Sequence, residues 1–131
     1  MEFQTALSGE LFELLRKHSV LAREGGEVSP GSEAFAQGLG FVRGNPGVDL
    51  LHLMFSARSR VVTGAMPKSD GASYLSGMVL GADVGTAVSL LGISGIVHLI
   101  CTPMLAALYG KALALYDVRS AVIDGDRAAL A

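Results

Sequence analysis

Three histidines, one cysteine and a few carboxylates are the side chains of this sequence that could carry chemistry. His18, His52 and His98 match no short metal-ligand spacing. His98 and Cys101, three residues apart, are the one tempting pair. On a strand, positions i and i+3 face opposite sides, so these two diverge unless the chain turns at once. A core or polar-capped His98 therefore fits the pattern better than a ligand. Cys101 has no basic run beside it to favour a thiolate, which argues against a catalytic nucleophile. Asp83 falls on the most apolar helix, where an ionised group needs a partner, and a half-buried salt bridge is the plain expectation. Asp124-Gly125-Asp126 follows a strand, at the edge where ligands of α/β sheets gather. It reads equally well as a turn with a helix cap. Arg58, Arg60 and Lys68 could hold an anion, but a solvated face is the simpler reading. There is no glycine-rich lysine loop of the Walker type and no Gly-x-Ser-x-Gly elbow. No metal site is expected, and no catalytic base can be named from these residues.

A different signal comes from glycine. Gly77, Gly81 and Gly85 recur every four residues within a helical pattern, leaving one stripe of that helix without side chains. A helix-interior glycine costs about 1 kcal/mol against alanine, so something should press on the stripe. Close packing by a neighbouring element explains it more readily than a ligand lying there.

These residues need elements to position them. Ser8-Gly9-Glu10 opens a first helix with Leu11, Phe12, Leu14 and Leu15 on its apolar face. Ala22 to Gly31 reads as a loop. Ser32-Glu33 starts a weaker helix through Phe35, Leu39 and Val42, ended by Gly44-Asn45-Pro46-Gly47. Val48 to Arg60 is expected as a third helix burying Leu50, Leu51, Leu53, Met54 and Phe55. Thr63 to Gly71 is a connection. Ala72 to about Ala87 is a fourth helix, with Tyr74, Leu75, Met78, Val79 and Ala82 inward. A turn at Gly92 to Gly95 leads to a strand at Ile96 to Ile100. Pro103 suits the first turn of the next helix, Met104 to about Leu115, with Leu105, Leu108, Tyr109, Ala112 and Leu113 inward. Ser120 to Ile123 is a second strand, and a last helix begins at Arg127. Strand, helix, strand makes a β-α-β unit with a parallel pair. The fold class is thus α/β and helix-rich.

Composition bounds the function. The 131 residues allow one domain, 1–131, with enough apolar surface for a core. A formal net charge of -2 leaves no basic footprint for nucleic acid. A single cysteine excludes an internal disulfide framework and fits a reducing compartment, so a cytoplasmic protein is expected. Val84 to Gly110 carries no formal charge and is long enough to cross a bilayer. Yet it holds several glycines and Pro103, and Ile96 to Ile100 has the character of a buried strand, so no membrane span is expected.

Several segments in order resemble one family. Phe3 to Phe12 with Leu14-Leu15 and Lys17-His18-Ser19 form the first. Ser73 to Gly77 with Leu80 to Val84 form the second. Thr102 to Tyr109 with Ala112-Leu113 form the third. Together they are similar to the carboxyl-terminal part of 2-dehydro-3-deoxygalactonokinases, sugar-acid kinases of the actin-like superfamily. The resemblance implies the carboxyl-terminal half of an actin-like, ribonuclease H-like kinase fold. It implies ATP and magnesium as cofactors and a sugar-acid substrate, 2-dehydro-3-deoxygalactonate. It places the nucleotide beside the Gly77 and Gly81 stripe and the Cys101-Thr102-Pro103 turn, with Ser8-Gly9-Glu10 starting the helix behind the phosphates. The family usually has glycine where Cys101 stands, so a side chain there crowds a nucleotide or alters the turn. Such kinases are about twice as long, and their phosphate-binding turns precede the segment that matches here. The expectation is a chain that is inactive and binds ATP poorly by itself, and that forms a homo-oligomer. A non-catalytic module that pairs with itself or with an amino-terminal half is the alternative, and a small membrane protein is the third reading.

Overall fold

Ser32 begins the first described helix as its sequence suggests. Its hydroxyl accepts from the Ala34 and Phe35 amides, leaving Glu33 in the first turn near the positive helix end. The computed structural model describes residues 28–92, 95–101 and 103–124. The expected first helix and the expected last one, with Ser8, Gly9 and Glu10, lie outside them. Helix α1 spans Glu33–Arg43. The third expected helix is two: α2, Leu50–Met54, and α3, Ser56–Val62, divided at Phe55. A short 3-10 turn at Lys68–Asp70 leads into α4, Gly71–Leu91. Gly92 ends α4 in the left-handed region at φ 56°, where glycine carries no Cβ penalty. Strand β1, Ile96–Cys101, helix α5, Pro103–Leu115, and strand β2, Arg119–Asp124, complete the order.

The strands pair in parallel, Ile96 opposite Arg119 through Cys101 opposite Asp124, with α5 as the crossover. The β-α-β unit is thus present, and each strand runs slightly longer than its apolar core suggests. The turn from α5 into β2 places Asp117 at φ 59°. There the Val118 amide returns to the Leu113 carbonyl at 2.9 Å, which closes the helix end.

Helix α4 is the axis of the core. Its first half meets α2, α3 and the buried Met66 through Ala72, Tyr74, Leu75 and Met78. Its second half meets α5 through Leu80 and Val84 against Leu108, Ala112 and Leu113. Tyr74, Phe35, Leu75 and Met78 are the largest fully buried side chains, each contributing roughly 1.5–3 kcal/mol by its burial. The Tyr74 hydroxyl is 3.3 Å from Ser56 Oγ, so its polar end is satisfied inside the core.

Helix α1 crosses α4 backbone to backbone. A Cβ on Gly77 would overlap the Phe35 carbonyl oxygen, and one on Gly38 would overlap that of Tyr74. At Gly81 the neighbour is Leu39, and at Gly85 it is the Tyr116 hydroxyl, 2.7 Å from where a Cβ would sit. Two elements therefore press on the glycine stripe.

Three expectations change. Leu51 is 77% exposed and Phe55 59% exposed, where the sequence pattern expects both in the core. At 100° per residue, positions 50, 53, 54, 57 and 61 share one face, while 51, 55 and 62 lie opposite. Leu105 on α5 is likewise exposed, and Ala106 is buried in its stead. His98 is exposed on β1 and is not a core residue.

Candidate functional site

The residues suspected from the sequence fall at two separate places, one at each end of α5. The first is where β1 hands the chain to α5. Cys101 ends β1 opposite Asp124, the last residue of β2. Pro103 is the first residue of α5, the position where its missing N–H costs nothing. Both strands thus finish beside the amino-terminal end of a 13-residue helix, the edge of a parallel sheet where ligands collect. The helix dipole favours negative charge there. Met104 and Leu105 leave apolar surface exposed just inside the helix. Thr102 lies outside the described residues.

The second place involves Gly81. Gly77 is sealed under α1, with no room between the two backbones. Gly81 is buried too, but with Gly85 it borders a groove of about 440 Å³ between the end of α1, the loop to α2 and the second half of α4. The Tyr116 hydroxyl donates to the Gly81 carbonyl at 3.4 Å and closes the groove on one side. The sequence signalled these glycines as a stripe. It gave no sign that Tyr116, 35 residues on, would fill part of it. Pro103 and Tyr116 bracket the 13 residues of α5, so about 20 Å of helix separates the turn from the groove's Tyr116 side.

The remaining candidates find ordinary surroundings. The Asp83 carboxylate accepts from the Tyr109 hydroxyl at 3.2 Å, tying α4 to α5. Arg60 does not simply face water: its guanidinium stands 5.1 Å over the centre of the buried Tyr74 ring. Among the described residues no group of three or more His, Cys, Asp or Glu could hold a metal ion. No helix among them is long and apolar enough to cross a membrane.

Known proteins resemble the chain throughout. A family model described as 2-keto-3-deoxy-galactonokinase matches residues 1–131. A probable 2-dehydro-3-deoxygalactonokinase of Rhizobium meliloti strain 1021 is 29% identical over 129 residues, which cover 96% of this chain and 42% of the relative. The 2-dehydro-3-deoxygalactonokinase of Escherichia coli K12 is 28% identical over 127 residues, covering 97% and 43% respectively. A crystal structure from Sinorhizobium meliloti that carries the same kinase name superposes with a TM-score of 0.86 at 28% identity, over 97% of this chain and 43% of the other. The chain spans under half the length of the relatives it matches.

Proposed function

The chain belongs to the 2-keto-3-deoxy-galactonokinase family, and from that premise we propose that it supplies the nucleotide-side, carboxyl-terminal part of a sugar-acid kinase. The reaction moves the γ-phosphoryl group of ATP onto a hydroxyl of 2-dehydro-3-deoxygalactonate. The hydroxyl oxygen bonds to phosphorus, the bond to the ADP oxygen breaks, and the hydroxyl proton leaves to a base or to solvent. Such transfer depends on positioning and on charge stabilisation from several elements at once. The fold we assign is the carboxyl-terminal half of an actin-like, ribonuclease H-like kinase, as one domain over 1–131. The parallel pair with its helical crossover supports this.

One observation carries the site assignment: both strands end beside the start of α5. The turn Cys101-Thr102-Pro103 is the nucleotide side, with the Met104 surface available to an adenosine. Gly77 and Gly81 serve it by support, since their missing side chains let α1 seat on the helix that leads into β1. Ser8, Gly9 and Glu10 start the helix behind the phosphates. ATP would bring the phosphoryl donor and magnesium the charge neutralisation. No residue of this chain is assigned to the metal. The protein works in the cytoplasm, in keeping with its one cysteine. It also self-associates. Among the described residues β1 and β2 pair only with each other, and Ile96 and Val122 are 50% and 61% exposed. Open strand edges and apolar faces are normally covered.

The test is a chimera in which this chain replaces the matching 127 residues of the Escherichia coli relative. It should phosphorylate 2-dehydro-3-deoxygalactonate in a coupled ADP-release assay, and Cys101→Gly should tighten its ATP affinity. Calorimetry on the 131-residue chain alone should give ATP-magnesium binding weaker than about 1 mM, near -4 kcal/mol. A folded but inactive chimera overturns the kinase reading. Micromolar ATP binding by the chain alone overturns its dependence on further elements.

A further inference from the structure

The groove beside Gly81 has a size, a lining and a charge arrangement that the nucleotide reading leaves unused. At about 440 Å³ it falls within the usual range of small-molecule sites. Its floor is Gly81, Ala82 and Gly85, and Val48, Leu50 and Leu90 supply apolar wall. Val48 and Leu90 are 41% and 65% exposed, so this wall is accessible from solvent. Arg43 stands on its rim, in the last turn of α1.

The Arg43 guanidinium is not needed to finish that helix. The Gly44 amide returns to the Gly40 carbonyl at 2.9 Å, and Asn45 Nδ2 donates to the Phe41 carbonyl at 2.7 Å. These close the carbonyls that a basic side chain often covers. Instead Arg43 lies over the Tyr116 ring, 5.9 Å from its centroid. Among the described residues it pairs with no carboxylate. Asp49 is also on the rim, and its side chain does not cap α2. A cation at one place and a carboxylate at another favour one negative charge on a ligand and oppose two.

We propose that this groove binds a small organic monoanion, an apolar body of about one or two rings carrying a single carboxylate. The body lies on the Gly81–Gly85 floor and the carboxylate meets Arg43. Because α5 separates Tyr116 from the β1–α5 turn, such a ligand does not compete for the nucleotide position, and the proposal stands whether or not the kinase reading holds.

Indole-3-propionate and its neutral primary amide are suitable probes, titrated into the whole chain while amide NMR shifts are followed. Both should give saturable shifts centred on Gly81, Gly85 and Thr86, with the acid bound about threefold more tightly, the scale of an exposed ion pair. Arg43→Gln should erase that preference, so that acid and amide bind alike. Thr86→Trp adds bulk at an exposed groove position and should abolish binding of both probes, and Ser89→Phe should do the same if Thr86→Trp fails to fold. Absence of binding, equal affinity for acid and amide in the unaltered chain, shifts centred elsewhere, or binding that survives a filled groove would each overturn the proposal.

Discussion

Where α1 crosses α4, glycine lets two backbones touch, and the surrounding side chains are buried almost without exception. In the β1–α5–β2 unit the same apolar residue types stand half open. Phe35 and Tyr74 are 0% exposed, whereas Val122 is 61% and Met104 52% exposed. Both regions look alike in composition. The difference is that the crossing is closed by partners within the described residues and the parallel pair is not. Buried apolar surface next to glycine therefore marks internal fit, while the parallel pair leaves apolar surface exposed among the described residues.

The sharpest way to break this comparison is Gly77→Ala. Helix propensity alone would stabilise the variant by about 1 kcal/mol. The new methyl, however, meets the Phe35 backbone, which cannot swing aside. The expected outcome in urea unfolding is a net loss of about 2 kcal/mol, the upper range for overpacking less that gain. A stabilised variant would mean that the crossing is looser than described.

Gly85→Ala sharpens the contrast within the same stripe. Its methyl would meet only the tip of Tyr116, a side chain able to move, at the cost of a long 3.4 Å hydrogen bond to Gly81. Gain and loss are each about 1 kcal/mol, so unfolding should place this variant within about 1 kcal/mol of the unaltered chain. A loss as large as that of Gly77→Ala would show that Tyr116 is as fixed as a backbone.

The smallest effect is expected at the open unit. Val122→Lys should change unfolding free energy by no more than about 0.5 kcal/mol, as for other exposed positions. In sedimentation it should weaken the self-association proposed above. A loss above about 2 kcal/mol would mean that Val122 is covered in the folded chain.

Much of this architecture was legible. Ser32, Gly92 and Pro103 announce helix ends by local chemistry that needs no tertiary partner. The run from Ile96 reads as a strand because branched apolar residues leave few alternatives. The face of residues 50–62 departs from the sequence expectation for a physical reason. A run dense in leucine offers more apolar residues than one helical stripe can bury, and only the 3.6-residue period tells Leu53 from Leu51. The site was less legible. The glycine stripe was visible, but the Gly38 backbone under Gly77 and the Tyr116 hydroxyl under Gly85 come from distant parts of the chain. Arg43 lies over Tyr116 while Asn45 closes the helix end, a division that residue types alone do not express.

Helix α4 is continuous by hydrogen bonding but uneven in depth. Every residue from 71 to 80 is buried, while Thr86, Ser89 and Leu90 face solvent. Opening the end around Thr86, Ser89 and Leu90 uncovers less apolar surface than opening the first half, so it costs less than global unfolding. Opening the first half requires parting α1, α2 and α3 from it. One helix thus has two depths, a first half whose opening takes the core with it and an end that opens more cheaply. The groove reaches that end at Thr86, Ser89 and Leu90, so its outer wall can shift without parting the crossing that holds the chain together.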